Sequence, residues 1–98
     1  LMEKYLSSGL VTHIFLLLDM RHSPTAEDRQ MFYWINYYCV PYTLIATKAD
    51  KLPRGKRAAA LSSIKKELGA IGAPLVFSSE DRSGMDEVLT AIDQVAHT

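Results

Sequence analysis

Cysteine is all but missing: Cys39 is the single one in 98 residues. No disulfide can close within the chain, which suits a reducing cytosol. Histidine is sparse as well, and His13, His22 and His97 stand apart without ligand spacing, excluding a metal centre built on clustered histidines. Net charge is absent, since 11 basic residues balance 11 acidic ones. Bulk electrostatics therefore gives no reason to expect nucleic acid or a membrane as partner. Long hydrophobic runs are absent too: the strongest, residues 14–18 within the apolar segment 10–18, falls far short of the roughly 20 residues a membrane-spanning helix needs. Glu3 and Lys4 occupy the first residues, and no apolar stretch with a small-residue cleavage site follows. Repeats, low-complexity segments and linkers are lacking. The expectation is one soluble, cytoplasmic domain over residues 1–98.

What is present is ordinary globular material, 48% hydrophobic and 22% charged. The charge is uneven: Lys48, Lys51, Arg54, Lys56, Arg57, Lys65 and Lys66 face the single acid Asp50 within residues 48–66, whereas residues 80–93 lean acidic. "LVTHIFLLL" (10–18) lacks two-residue alternation, and a short unbroken apolar run predicts a strand buried on both faces, ending at Asp19. Ser23 or Thr25 can then cap a helix with Pro24 in its first turn and Glu27 and Asp28 near its positive end. Its inward face is Met31, Phe32, Ile35 and Tyr38, and Cys39 reads as a small buried residue at its end. Residues 42–47 predict a second strand, and residues 56–68 a helix with Leu61, Ile64 and Leu68 inward. Residues 74–78 predict a third strand. The last helix starts near Met85, capped by Ser83 or Gly84, with Val88, Leu89, Ile92 and Val95 inward. This strand–helix alternation predicts an α/β domain with a parallel sheet, in which ligands gather beyond the carboxyl ends of the strands. Those ends are Asp19, "TKAD" (47–50) and "SSE" (78–80). "MEKYLSSGL" reads as the end of a helix running into a strand, and three strands make a narrow sheet, so the chain reads as a fragment.

An aspartate at the end of a buried strand can accept two hydrogen bonds from the N1 and N2 groups of guanine, a donor pair that adenine does not offer. A carboxylate left unpaired in that slot is penalised, and the wrong base is rejected. Lys48 can lay its stem along the purine face with its ammonium in water. Thr47, at the strand end, would tie the loop to its neighbour. About thirty residues on, a serine of "VFSSEDRSG" can hydrogen-bond Asp50, and a backbone amide of Ser79 or Glu80 can reach guanine O6. T-K-x-D alone is a weak match, because lysine and aspartate at a strand end form surface ion pairs in many proteins. The second loop, in the right order and spacing, makes it specific.

"LLLDMRHSPTAEDRQMFYWI", "TLIATKADKL" and "VFSSEDRSGMDEVLTAID" together resemble the C-terminal half of the EngB family, also called the YihA or YsxC family, of bacterial GTP-binding proteins. The resemblance covers about residues 10–95. Its most distinctive part is Asp19, Arg21, His22, Pro24 and Asp28, since D-x-R-H before an acidic helix start is not general to GTPases. It implies a partial Ras-like P-loop fold, binding of GTP or GDP with Mg2+, a role in large ribosomal subunit assembly, and a requirement for cell division and septation. It also implies that Thr47, Lys48, Asp50, Ser78, Ser79 and Glu80 are the guanine-specificity residues. A phosphate loop, a switch threonine and a D-x-P-G magnesium motif do not occur in the sequence. Gly55-Lys56 is no substitute, since Arg57 stands where Ser or Thr would bind magnesium. The chain by itself is thus expected to read the base and not to hydrolyse GTP.

Two other readings compete with this one. The basic helix at 54–66 would suit ribosomal RNA phosphates in an RNA- or ribosome-binding module, or "TKAD" is a coincidence in an α/β interaction domain. Arg21 and His22 would contact a partner or stay solvated. In the aromatic run "MFYWINYY" (31–38), Trp34 or Tyr37 would be the exposed members. The first strand, at an open sheet edge, is expected to invite self-association.

Overall fold

The computed structural model describes residues 2–78, 80, 82 and 84–96. Its elements run α1 (Met2–Ser7), β1 (Ile14–Asp19), α2 (Ala26–Tyr37), β2 (Tyr42–Thr47), a 3-10 turn (Ala49–Lys51), α3 (Arg54–Leu68), β3 (Leu75–Val76) and α4 (Met85–Ala96). The strands form one parallel sheet in the order β1-β2-β3. β2 is central and apolar, with Leu44, Ile45 and Ala46 all buried, as a strand covered on both faces requires.

Several boundaries differ from the sequence reading. β1 begins at Ile14 because pairing begins there, opposite Tyr42, and the preceding residues have no partner strand. β3 is two residues long, not five. Its ladder is Ile45 with Leu75 and Ala46 with Val76, extended by the Phe77 amide donating to the Ala46 carbonyl at 2.8 Å, after which the chain turns off to place Ser78. Thr25 is the cap of α2, in a capping box with Asp28: the Asp28 amide donates to Thr25 Oγ1 at 3.1 Å and the Thr25 amide to Asp28 Oδ2 at 2.9 Å. Pro24 accordingly precedes the cap instead of lying in the first turn. α3 starts two residues earlier than expected, at Arg54, and ends on Gly69 in the left-handed region at φ 73°. Cys39 is exposed, not buried, and itself sits at φ 55°.

The core lies on one face of the sheet. Leu18, Leu44 and Ala46 of the strands meet Phe32 of α2 and Ile64 of α3, with Met20, Ala49 and Ala70 completing the cluster. A side chain such as Ile64, only 2% exposed, contributes roughly 1.5–3 kcal/mol by leaving water. Both crossover helices therefore sit on the same side, as strands advancing in one direction demand. A smaller cluster of Leu6, Ile35 and Val40 anchors α1 beside α2.

The opposite face is barer. α4 contains no buried residue, and Leu89 and Ile92, expected inward, are 54% and 45% exposed; Leu17 of β1 is 61% exposed. Three strands do not give α4 enough sheet to lie on. Its start is fixed by Gly84, at φ 76°, where an added Cβ would fall 1.6 Å from the Val76 carbonyl oxygen. Only glycine lets the backbone come that close. Ser83, the other cap candidate, lies outside the described residues. No helix is long and apolar enough to cross a membrane, among the described residues.

Candidate functional site

The carboxyl end of β2 is a hub for the loops that follow all three strands. Met20, just past β1, donates its amide to the Thr47 carbonyl at 3.1 Å, and the Thr47 hydroxyl donates to the Leu18 carbonyl at 3.3 Å. Thr47 ties its loop to the neighbouring strand, as its position in the sequence leads one to expect. On the other side the Ala49 amide donates to the Phe77 carbonyl at 3.4 Å. Between these anchors Lys48 adopts φ 66°, the left-handed region, which turns the chain sharply and leaves its side chain exposed.

That turn delivers Asp50. Ser78, fully buried, donates its hydroxyl to Asp50 Oδ1 at 2.7 Å. The residues from the two loops thus meet, although they lie 28 positions apart in sequence. The other carboxylate oxygen, Oδ2, is buried and accepts no hydrogen bond among the described residues. The Lys51 ammonium stands 3.6 Å from it, at ion-pair range, and also 3.4 Å from Glu80 Oε1. The Asp50 carboxyl is held below the ordinary carboxylate range, first by the Ser78 hydroxyl, against the opposing effect of burial, with smaller help from the Glu80 side chain, a backbone hydrogen bond at Asp50 itself and the Lys51 charge. Asp50 is an ionised acceptor with one oxygen engaged and one in reserve. Most buried polar atoms are satisfied, so an open one at a strand end is what a donor-bearing ligand would use.

Of the six residues singled out from sequence, Thr47, Lys48, Asp50, Ser78 and Glu80 come together here; Ser79 lies outside the described residues. Lys51 was not foreseen. The single 3-10 turn that brings its ammonium back over Asp50 has no signature beyond three residues, and its second partner is 29 positions away.

Asp19 and Arg21 form a separate pair beside this hub. Arg21 Nη2 donates to Asp19 Oδ2 at 2.7 Å and Nε to Oδ1 at 3.0 Å, while the Arg21 amide also donates to Oδ1. Held chiefly by the Arg21 side chain, the Asp19 carboxyl falls from 3.8 to about 2. Arg21 is thereby committed to shaping its own loop. A groove of about 540 Å³ lined by residues including Arg29, Phe32, Tyr33 and Tyr37 lies between α2 and the end of α3. It contains none of the site residues, and the chemistry at Asp50 outweighs its size. Tyr33 and Tyr37 are its exposed aromatics, at 60% and 65%, with Trp34 only half-buried. On α3, Lys56, Lys65 and Lys66 are exposed, whereas Arg57 turns back to the Leu52 carbonyl.

The described residues hold no group of three or more side chains suited to a metal.

No protein-family model matches the sequence. Among curated proteins, the "Probable GTP-binding protein EngB" of Streptococcus gordonii is 43% identical over 95 residues, which is 94% of this chain and 48% of that protein. The protein of the same name from Streptococcus agalactiae serotype Ia is 51% identical over 73 residues, 72% of this chain and 37% of that protein. In structure, the apo form of translation elongation factor SelB from Methanococcus maripaludis superposes with a TM-score of 0.77 over 99% of this chain and 23% of its own, at 13% identity. That likeness establishes the fold, an α/β arrangement of three parallel strands and their helices. The chain spans about half the length of the curated relatives it matches; by sequence it belongs with the EngB family and corresponds to the C-terminal half of those proteins.

Proposed function

We propose that this chain is the base-reading part of an EngB-type G domain and that its site takes a guanine nucleotide. The observation that carries this reading is Asp50, with Ser78 donating to one carboxylate oxygen and the other oxygen buried without a hydrogen bond among the described residues. Guanine N1–H and N2–H would complete it. Thr47 ties the loop down, the Lys48 stem covers the purine face, and the backbone around Ser79 and Glu80 supplies a donor for O6. GTP or GDP is the nucleotide class. Phosphate contacts and magnesium belong to motifs that do not occur in these 98 residues, so the chain by itself binds nucleotide weakly and does not hydrolyse it. In the whole protein the same site would serve a cytoplasmic GTPase acting in large ribosomal subunit assembly, cell division and septation.

The test is a nucleotide titration of a full-length EngB-type protein carrying this segment. Asp50→Asn replaces an acceptor by a donor, and preference should move from guanine toward xanthine nucleotides. Unchanged preference would sink the assignment of Asp50. For the 98-residue chain, sub-micromolar affinity for GDP would overturn the half-site reading.

A further inference from the structure

Lys51 has no part in the base-reading scheme above, yet its ammonium stands at ion-pair range of the open acceptor. Its ammonium lies 3.6 Å from Asp50 Oδ2 and 3.4 Å from Glu80 Oε1, one cation between two carboxylates from different loops. The side chains of Lys51 and Glu80 are 45% and 66% exposed, that of Asp50 only 11%. The lysine thus stands on the solvent side and the acceptor inside. A cation at ion-pair range of a carboxylate favours its ionised form. A proton held at Asp50 Oδ2 would fill the very acceptor that a base must reach.

We propose that Lys51 is a positioning residue whose ammonium, bridging Asp50 and Glu80, keeps Asp50 Oδ2 free of protons and open to a donor. This rests on reading Asp50 as the guanine acceptor. The neighbours set the balance. On its own turn Asp50 has Lys48 and Lys51; from the end of β3 come Ser78 and Glu80; from the end of β1 come Asp19 and Arg21, of which Arg21 feels the Asp50 charge but is already engaged by Asp19. Lys51 is therefore the cation within ion-pair reach of both Asp50 and Glu80 among the described residues. Its aid is electrostatic, and an arginine can replace it.

The test reads the Asp50 side-chain carbon by NMR through an acid titration of the 98-residue chain, which needs no nucleotide. In Lys51→Met the Asp50 midpoint should move upward, and in Lys51→Arg it should return to the original position. An unmoved midpoint in Lys51→Met overturns the proposal. A rise that Lys51→Arg does not reverse overturns it too, since the charge of the lysine would then not be what holds the midpoint down. Lys51 is exposed, so these variants keep the fold, which unchanged amide spectra away from the site would verify. In the full-length protein, Lys51→Met should lose GDP affinity at a higher pH than the parent as the solution is acidified. Failure of the Asp50→Asn preference switch would sink the base assignment while leaving the Lys51 titration result standing.

Discussion

The two faces of the sheet are built from similar material and end up in different states. On one, α2 and α3 close over Leu18, Leu44, Ala46 and Ile64; on the other, α4 leaves Leu89 and Ile92 half in water and Leu17 exposed. α4 carries much the cleaner amphipathic pattern of the two exposed-surface helices, yet it is α3, with Ile64 as its one buried residue, that joins the core. Amphipathic patterning says which side of a helix wants burial. It does not say whether enough partner surface exists, and here the sheet stops one strand width beyond β2 on either side.

Substitutions on the two faces should differ in cost accordingly. Ile64→Ala on the closed face should cost about 2–5 kcal/mol in chemical denaturation, the range for emptying a packed aliphatic site; a cost below about 1 kcal/mol would erase the distinction. Gly84→Ala should come next, at more than about 2 kcal/mol, because backbone must move to clear the Val76 carbonyl. Gly55→Ala, in open space on α3, should instead be neutral or stabilising by up to about 1 kcal/mol. Thr25→Ala removes the cap of α2 and should cost about 1 kcal/mol. Leu89→Gln on the open face should change monomer stability by less than about 0.5 kcal/mol. If the bare face and the unpaired edge of β1 drive self-association, the same change should lower the sedimentation-average mass at high concentration.

The smallest effect is expected at Asp19. Its carboxyl is lowered to about 2 in the fold, so the stability it supplies is fully present above its unfolded-state value near 4 and disappears as pH falls toward 2. Asp19→Asn should match the parent at pH 2 and lag slightly at neutral pH. A lag that persists at pH 2 would point to lost shape rather than lost charge.

The central strand, the helix alternation and the inward residues of α2 and α3 were legible because each rests on periodicity over six or more residues. β3 was overestimated since an apolar run continues past the point where pairing stops. Of the inward face assigned to α4, Val88 and Val95 are half-buried while Leu89 and Ile92 stay exposed for want of sheet, and Cys39 lies past the helix end, exposed and in the left-handed region. At the site, Asp50 could be paired from sequence with a serine of "SSE", Ser78 or Ser79, since both stretches lie just past strand ends; the structure assigns the bond to Ser78. Lys51 could not, because its geometry is made by one irregular turn.

The amides of Met20, Ala49 and Phe77 all bear on the last residues of β2 or on one another's loops. Three segments of chain thus share one fastening. In hydrogen-exchange experiments these amides should open together, on a single clock, and not fray in sequence as loop amides do. A ligand donor reaching Asp50 would meet a surface that is present whole or gone whole, so occupancy at the base should register as slowed exchange as far away as the turn after β1.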